Sequence, residues 1–150
     1  MKNKIPPLIL VAIFAFLMWG ISSITTSIAI NESIQWVAVI FCAACGVIFC
    51  VAGILSFKRA KTTVDPLHPE SASSLVTSGI YKISRNPIYV GFALLLFAWA
   101  VYLASPGSLI GVLLFVIYMD RFQIVPEERV LMKLFGDNYE QYQANVRRWL

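Results

Sequence analysis

Charged and ligand-forming side chains are scarce in this 150-residue sequence. Asp, Glu, Lys and Arg make up 13% of the residues, against roughly 25% in soluble domains. There is one histidine, and the three cysteines, Cys42, Cys45 and Cys50, lie in one apolar stretch. Cys42 and Cys45 have the spacing of a redox or zinc pair, but no further Cys or adjacent His completes a ligand set. The sequence therefore predicts no metal site and no disulfide, and we interpret the cysteines as small packing residues.

Apolar residues are correspondingly abundant. They amount to 59% of the chain, against roughly 45–50% in soluble domains, and the mean hydropathy is +0.75. They form four stretches, each expected to be a helix that spans the bilayer core of roughly 30 Å. These stretches are about Ile5 to Ile30, Ile34 to Phe57, Ile88 to Ala104 and Gly107 to Val125. The prediction is an all-α integral membrane protein with four transmembrane helices in a single domain, residues 1–150.

The charges are distributed unevenly over this predicted topology. If the four helices alternate in direction, all 12 Lys and Arg residues fall on one side, and the other side keeps Glu32 and short polar turns. Cytoplasmic loops carry the Lys/Arg excess, so both termini are expected in the cytoplasm and the chain in the plasma (inner) membrane. The net charge of +4 is then a topology signal. The expected partners are therefore membrane lipids, and no nucleic-acid partner is expected.

Residues 75–91 join a polar, basic connector to the third apolar stretch. Gly79 permits backbone angles closed to other residues, and Pro87 suits the first turn of a helix, whose leading N–H groups have no internal partner. Arg85 lies beside those N–H groups, which together favour an anionic group such as a carboxylate. We predict half of a small-molecule site here. Upstream, His68 lies between two prolines, either as a solvated loop residue or as a ligand contact.

Asp120 and Arg121 interrupt the fourth apolar stretch. From Gly107 to Met119 a helix covers only about 20 Å, less than the bilayer core. Ionisable groups at membrane depth tend to face a bundle interior or a wet cavity. The alternative is that both side chains snorkel at the cytoplasmic boundary. In either case we expect them near the level of Arg85.

Two amphipathic helices are predicted after the fourth stretch. Pro126 opens the first, with Glu127 and Glu128 in its first turn and Gly136 at its end. The second begins at residue 137 or 138, and the aromatic and apolar side chains that it carries are Tyr139, Tyr142 and Val146. The closing residues 147–150 are interpreted as cations and an interfacial aromatic.

The sequence contains two separated motif blocks. The first block is Leu75-Val76-x-x-Gly79-x-Tyr81-x-x-x-Arg85-Asn86-Pro87-x-Tyr89-x-Gly91, preceded by His68-Pro69. The second is Glu127-Glu128-x-x-Leu131-x-x-x-Phe135-Gly136-x-x-Tyr139-x-x-Tyr142. Together they resemble the integral membrane methyltransferases, the isoprenylcysteine carboxyl methyltransferase group and its phospholipid methyltransferase relatives. The resemblance covers roughly residues 68–148. Eukaryotic members usually have His at the position of Asn86, and an Asn there is similar to the bacterial branch.

The resemblance implies S-adenosylmethionine as methyl donor, with S-adenosylhomocysteine as product, bound at the cytoplasmic face. The residues implied to hold it are His68, Leu75, Val76, Gly79, Tyr81, Arg85, Pro87, Tyr89, Glu127 and Glu128. The chemistry of these side chains agrees: Arg85 suits the carboxylate of the donor, and Glu127 or Glu128 suits its ammonium or ribose. Arg85 and Glu128 are the predicted essential residues for catalysis.

The predicted membrane domain divides into two parts, and the first two apolar stretches carry no interior charge. Residues 1–57 are expected to be a scaffold hairpin, and residues 58–150 the catalytic region, in which the cytoplasmic connector and the C-terminal amphipathic helices form the cofactor site. The methyl acceptor is expected to be a lipophilic small molecule or a lipid, attacked through a carboxylate or an amine. It would enter between the third and fourth helices, near Asp120 and Arg121.

Two other interpretations stay open. Sterol-type membrane reductases that use NADPH carry a similar Arg-x-Pro-x-Tyr-x-Gly block, although an acid typically follows the Gly where this chain has Phe92. In a non-catalytic membrane scaffold, Arg85 would be a topology anchor, and Glu127 and Glu128 would be ordinary helix-start acids.

Overall fold

A computed structural model describes residues 5–60 and 74–150. The connector residues between them, which include the predicted ligand contact His68, lie outside the described part. Within that part the chain is helical and contains no strand. The helices are α1 (Pro7–Ile24), α2 (Glu32–Arg59), α3 (Pro87–Leu103), α4 (Ser108–Tyr118), α5 (Val125–Phe135) and α6 (Asp137–Asn145). A short 3-10 turn covers Gly79–Lys82, and a π-helical segment covers Met119–Ile124.

Local sequence explains where the apolar helices begin and end. Pro7 and Pro87 occupy the first positions of α1 and α3, where a missing N–H costs nothing. Asn31 caps α2 through its side-chain oxygen, which accepts hydrogen bonds from two backbone N–H groups. The observed helix α1 is shorter than the predicted first stretch, Ile5 to Ile30, and ends at Ile24. Thr25 there bonds both a helix carbonyl and Ser105, an alternative to further helical pairing.

The α2 and α3 helices run antiparallel and pack closely. At one end Gln35 Nε2 donates to the carbonyls of Val101 and Tyr102, at 3.0 and 2.9 Å. Midway, a Cβ added to Gly91 would lie 2.6 Å from the carbonyl oxygen of Gly46, so glycine is required at this crossing. Small residues therefore allow the close approach, as expected for membrane helices. The side chain of Cys50 lies against Gly91 as well, which agrees with its interpretation as a packing residue.

The α1 and α4 helices form the second antiparallel contact. Ser108 Oγ donates to the carbonyl of Met18 at 3.4 Å, and Gly111 faces the Met18 side chain. Further along, the rings of Phe14 and Phe115 meet edge to face with centroids 5.6 Å apart. A hydrophobic core between α1, α3 and α4 results, and many large apolar side chains of α1, α2 and α4 remain exposed, as for helices that face lipid.

Among the described residues, three helical runs are long and apolar enough to cross a membrane: Pro7–Ile24, Glu32–Arg59 and Ser108–Phe135. The third predicted span, α3, is apolar but has 17 residues, or about 25 Å. The helix predicted to open at Pro126 begins one residue earlier, and it continues α4 without a break. In a regular α-helix the ring of Pro126 would clash with the carbonyl four residues before it. The helical run Ser108–Phe135 departs from α-helical geometry in the π-helical segment Met119–Ile124, which ends two residues before Pro126.

The two ends of this bundle differ in charge. The α2 helix ends with Lys58 and Arg59 where α3 begins and α4 ends, and α1 starts at the same end. Glu32 lies at the opposite end, in the first turn of α2. We call the first the polar end and the second the neutral end.

Candidate active site at the polar end of the bundle

Arg85 is positioned by the 3-10 turn that precedes it. Gly79 begins this turn with a φ of +63°, a left-handed conformation that favours glycine. A side chain there would also meet Ser56 Oγ of α2. Two residues on, the ring of Tyr81 packs edge-on against Phe57 with centroids 5.3 Å apart. The turn is thereby fixed on the end of α2, and Arg85 follows just before α3.

The two predicted essential residues are in contact. Arg85 Nη2 donates to Glu128 Oε1 at 2.8 Å, and each side chain is 11% exposed. Arg85 Nη1 donates to the carbonyls of Gln143 and Val146, at 3.1 and 2.8 Å. Its Nε is buried and has no hydrogen-bond partner within residues 5–60 and 74–150. One residue of the first block thus binds both the acid of α5 and the end of α6.

Arg148 bridges Glu128 to the π-helical segment. Its Nε and Nη2 donate to the two oxygens of Glu128, at 3.1 and 2.7 Å. Its Nη1 donates to both oxygens of Asp120, at 3.1 and 3.2 Å. The hydrogen bonds with Glu128, helped by the charges of Glu128 and Asp120 and opposed by burial, raise the pKa of Arg148. Arg85, Arg148, Glu128 and Asp120 form one charged cluster with two cations and two carboxylates.

Sequence reasoning misses this role of Arg148, since it interprets residues 147–150 only as cations and an interfacial aromatic. The available signal is an excess of acids: the predicted site has three, Asp120, Glu127 and Glu128, but two cations, Arg85 and Arg121. The partner of Asp120 in the structure is Arg148. Arg121 is exposed, and its side chain makes no hydrogen bond or ion pair with another described residue.

The C-terminal segment is bound by the first block through its backbone. Arg85 N–H donates to the carbonyl of Arg147 at 2.9 Å. Asn86 Nδ2 and Ser84 Oγ donate to the carbonyl of Arg148, at 3.0 and 3.4 Å. Trp149 then packs against the core of α1, α3 and α4. Residues 146–150 therefore lie across the start of α3.

Glu127 points to a different partner from its neighbour Glu128. Tyr89 Oη donates to Glu127 Oε1 at 2.8 Å, and Tyr89 is 7% exposed on α3. The preceding Pro87 is also buried, at the start of the same helix. The structure thus brings both predicted acids of α5 against the start of α3.

An aromatic cluster joins the two sequence blocks beside the charges. Its buried members are Val76, Tyr81, Tyr139 and Tyr142, and Leu75 packs against them. Tyr142 Oη donates to the carbonyl of Tyr81 at 2.7 Å. Burial, and next the negative charge of Glu128, raise the pKa of Tyr139 to about 12. Burial likewise raises the pKa of Tyr81 and Tyr142.

The sequence is similar to known methyltransferases. The sequence model of the phospholipid methyltransferase family matches residues 33–138. A protein-S-isoprenylcysteine O-methyltransferase of Schizosaccharomyces pombe is 42% identical over 76 residues, which cover 48% of this chain and 30% of that protein. A methanethiol S-methyltransferase of Pseudomonas deceptionensis is 31% identical over 96 residues, which cover 62% of this chain and 34% of that protein.

An uncharacterized protein of Haemophilus influenzae is 40% identical over 63 residues, which cover 42% of this chain and 100% of that protein. The chain spans about half or less of the length of the named methyltransferases that it matches. No solved structure matches it. The family match includes the whole first block and most of the second, and it confirms the resemblance found in the sequence. Because that match covers more than half of its residues, the chain belongs to the phospholipid methyltransferase family.

Proposed function

We propose that this chain is an S-adenosylmethionine-dependent methyltransferase that acts on a lipophilic acceptor from the membrane. Family membership supports the reaction class, since the family is named for methyl transfer and several relatives carry methyltransferase names. The helical runs long enough to cross a membrane support a membrane-borne acceptor. The observation that carries the proposal is the 2.8 Å contact between Arg85 and Glu128, which joins the two family blocks in one buried cluster.

The chemistry of the cluster fits the methyl donor. The buried Arg85 Nε lacks a partner among the described residues, and a buried donor of this kind calls for an acceptor. A carboxylate is a suitable one. Glu127 and Glu128 offer carboxylates for an ammonium or a ribose hydroxyl, and the aromatic cluster offers apolar contact for an adenine. When bound, S-adenosylmethionine supplies a methyl group on a sulfonium, ready for displacement.

The role left to the protein is orientation and exclusion of water. Methyl transfer is an in-line displacement, so holding donor and acceptor in register removes much of the barrier. We assign Arg85, Glu127 and Glu128 to binding and orientation of the donor, with Leu75, Val76, Gly79, Tyr81, Pro87 and Tyr89 shaping its site. A carboxylate acceptor needs no general base, whereas a protonated amine must first lose its proton.

The acceptor and the topology belong to the same proposal. The names of the relatives place the methyl group on oxygen in one and on sulfur in another, so the family leaves the attacked atom open. We place acceptor entry between α3 and α4, where the exposed Arg121 is available and Asp120 is held by Arg148. The cations at the polar end support both termini in the cytoplasm and the site at that face of the plasma membrane.

A calorimetric titration of the purified chain in lipid nanodiscs tests the proposal. We expect S-adenosylhomocysteine to bind and NADPH not to bind. Arg85→Ala should weaken that binding about 100-fold, because a buried charged partner of Glu128 is lost. Arg129→Ala is the matched control, because Arg129 is exposed on the same helix as Glu128. Binding of NADPH alone would favour a reductase, and binding of neither would favour a non-catalytic scaffold.

The acceptor can be sought with the same protein. Labelled S-adenosylmethionine, incubated with the chain and a membrane extract, should transfer its methyl group to a component that partitions into organic solvent. Arg129→Ala should retain this transfer and Arg85→Ala should lose it. Label found only in water-soluble products would contradict the lipophilic acceptor.

A further inference from the structure

We infer that Arg148 is a positioning residue of the cofactor site, which holds Glu128 in its binding orientation and connects it to Asp120. The inference rests on the proposed function, because it concerns a residue that acts through Glu128. Nothing in the two sequence blocks assigns a role to this arginine. Its assignment comes from the contacts at the polar end of the bundle.

The geometry at Glu128 shows why one arginine is not enough. Arg85 reaches a single oxygen, Oε1, which leaves the carboxylate free to turn about its last bond. Arg148 binds both oxygens, at 3.1 and 2.7 Å. Such a paired contact fixes the plane of a carboxylate as well as its place. Glu128 is 11% exposed, so the plane that Arg148 sets decides where its remaining lone pairs point.

Arg148 is itself held from two directions. Asn86 and Ser84, the neighbours of Arg85, bind its backbone carbonyl. Asp120, in the π-helical segment, binds Nη1 of Arg148. A side chain fixed by its own backbone and by a further ion pair can impose its geometry on Glu128. π-Helical turns often occur at functional sites, and here one presents the carboxylate that completes this chain of contacts.

The charge balance gives the second argument. With Arg148 present, the cluster has two cations and two carboxylates. Without Arg148, Arg85 remains at one oxygen of Glu128, and Asp120 loses its ion pair with Arg148. Two partly buried carboxylates that share one cation repel each other, which weakens the hold on Glu128. Arg148 therefore supports cofactor binding by orienting Glu128 and by balancing its charge.

The test compares two adjacent arginines. Arg148→Gln and Arg147→Gln remove the same charge from the same segment, but the Arg147 side chain is exposed and unpaired among the described residues. We expect Arg148→Gln to raise the Kd for S-adenosylhomocysteine about tenfold, the equivalent of one charged hydrogen-bond pair. Arg147→Gln should stay within about twofold, as for an exposed charge. Arg148→Lys should behave like Arg148→Gln, because an ammonium cannot pair with both carboxylates in this planar arrangement.

A double variant separates positioning from mere stabilisation of the fold. If Arg148 acts through Glu128, then Arg148→Gln in a Glu128→Gln background should cause no further loss of affinity. A structural role would instead lower the unfolding midpoint and leave the Kd of the folded protein unchanged. In turnover assays, the KM for S-adenosylmethionine should rise by a larger factor than kcat falls.

The outcomes distinguish this inference from the function on which it rests. No binding of S-adenosylhomocysteine to the unaltered chain would overturn the proposed function and this inference together. Normal binding by the unaltered chain with equal Kd values for Arg148→Gln and Arg147→Gln would overturn the inference alone. Additive losses in the Glu128→Gln background would do the same.

Discussion

The two ends of the helical bundle are joined by different kinds of bonds. At the neutral end, Thr25 bonds Ser105 at 2.7 Å, Gln35 bonds two carbonyls of α3, and the N–H of Ile28 bonds the carbonyl of Ala104. At the polar end, Arg85, Arg148, Glu128 and Asp120 share ion pairs. Neutral hydrogen bonds suffice to hold helix ends together. Charges that are costly to bury are expected where a charged ligand must be bound.

The largest expected contrast is between the acids of the two ends. Glu128→Ala should weaken S-adenosylhomocysteine binding about 100-fold and lower the free energy of unfolding by about 3 to 5 kcal/mol, because Arg85 stays buried without its partner. Glu32→Ala, the control at the neutral end, should change neither, since Glu32 is exposed. Calorimetry and unfolding in detergent measure both. Equal effects of the two substitutions would erase the distinction between the ends.

A smaller effect is expected when a neutral-end contact is removed. Gln35→Leu deletes the donor to Val101 and Tyr102, at about 1 kcal/mol of unfolding free energy for each hydrogen bond. Binding of S-adenosylhomocysteine should stay unchanged, because the proposed site lies at the other end of the bundle. Gln141→Leu is the control, on the exposed surface of α6. A loss of cofactor affinity in Gln35→Leu would show that the ends are coupled.

The smallest effect concerns alkaline pH and the aromatic cluster. The pKa of Tyr139 is raised from 10.0 to about 12 in the folded chain, so folding favours its neutral form. Its contribution to stability is complete below pH 10 and is lost as the pH rises through about 12. In Tyr139→Phe the unfolding midpoint should therefore fall less over that range than in the unaltered chain. Tyr102→Phe at the neutral end, where Tyr102 is exposed, should follow the unaltered chain.

Much of this arrangement could be predicted from local sequence. The helix start at Pro87 follows from proline chemistry, and the end of α5 at Gly136, with a φ of +48°, follows from glycine. The contact between Arg85 and Glu128 is what the sequence predicts if both blocks line one site.

The rest depends on contacts that sequence spacing does not reveal. Arg148 binds acids 20 and 28 residues away, and neither separation is a helical neighbour distance. The π-helical segment was missed because Pro126 indicates a helix start equally well. The role predicted for His68 stays a prediction, since it lies outside the described residues.

The most direct test of the account is hydrogen–deuterium exchange of the chain in nanodiscs, with and without S-adenosylhomocysteine. If one cofactor is enclosed by both blocks, backbone amides in residues 79–91 and in residues 125–148 should become protected together, at the same ligand concentration. Residues 25–35 of the neutral end should not change. Protection of one block alone, or of neither at a concentration that saturates calorimetric binding, would contradict the claim that the two blocks form one site.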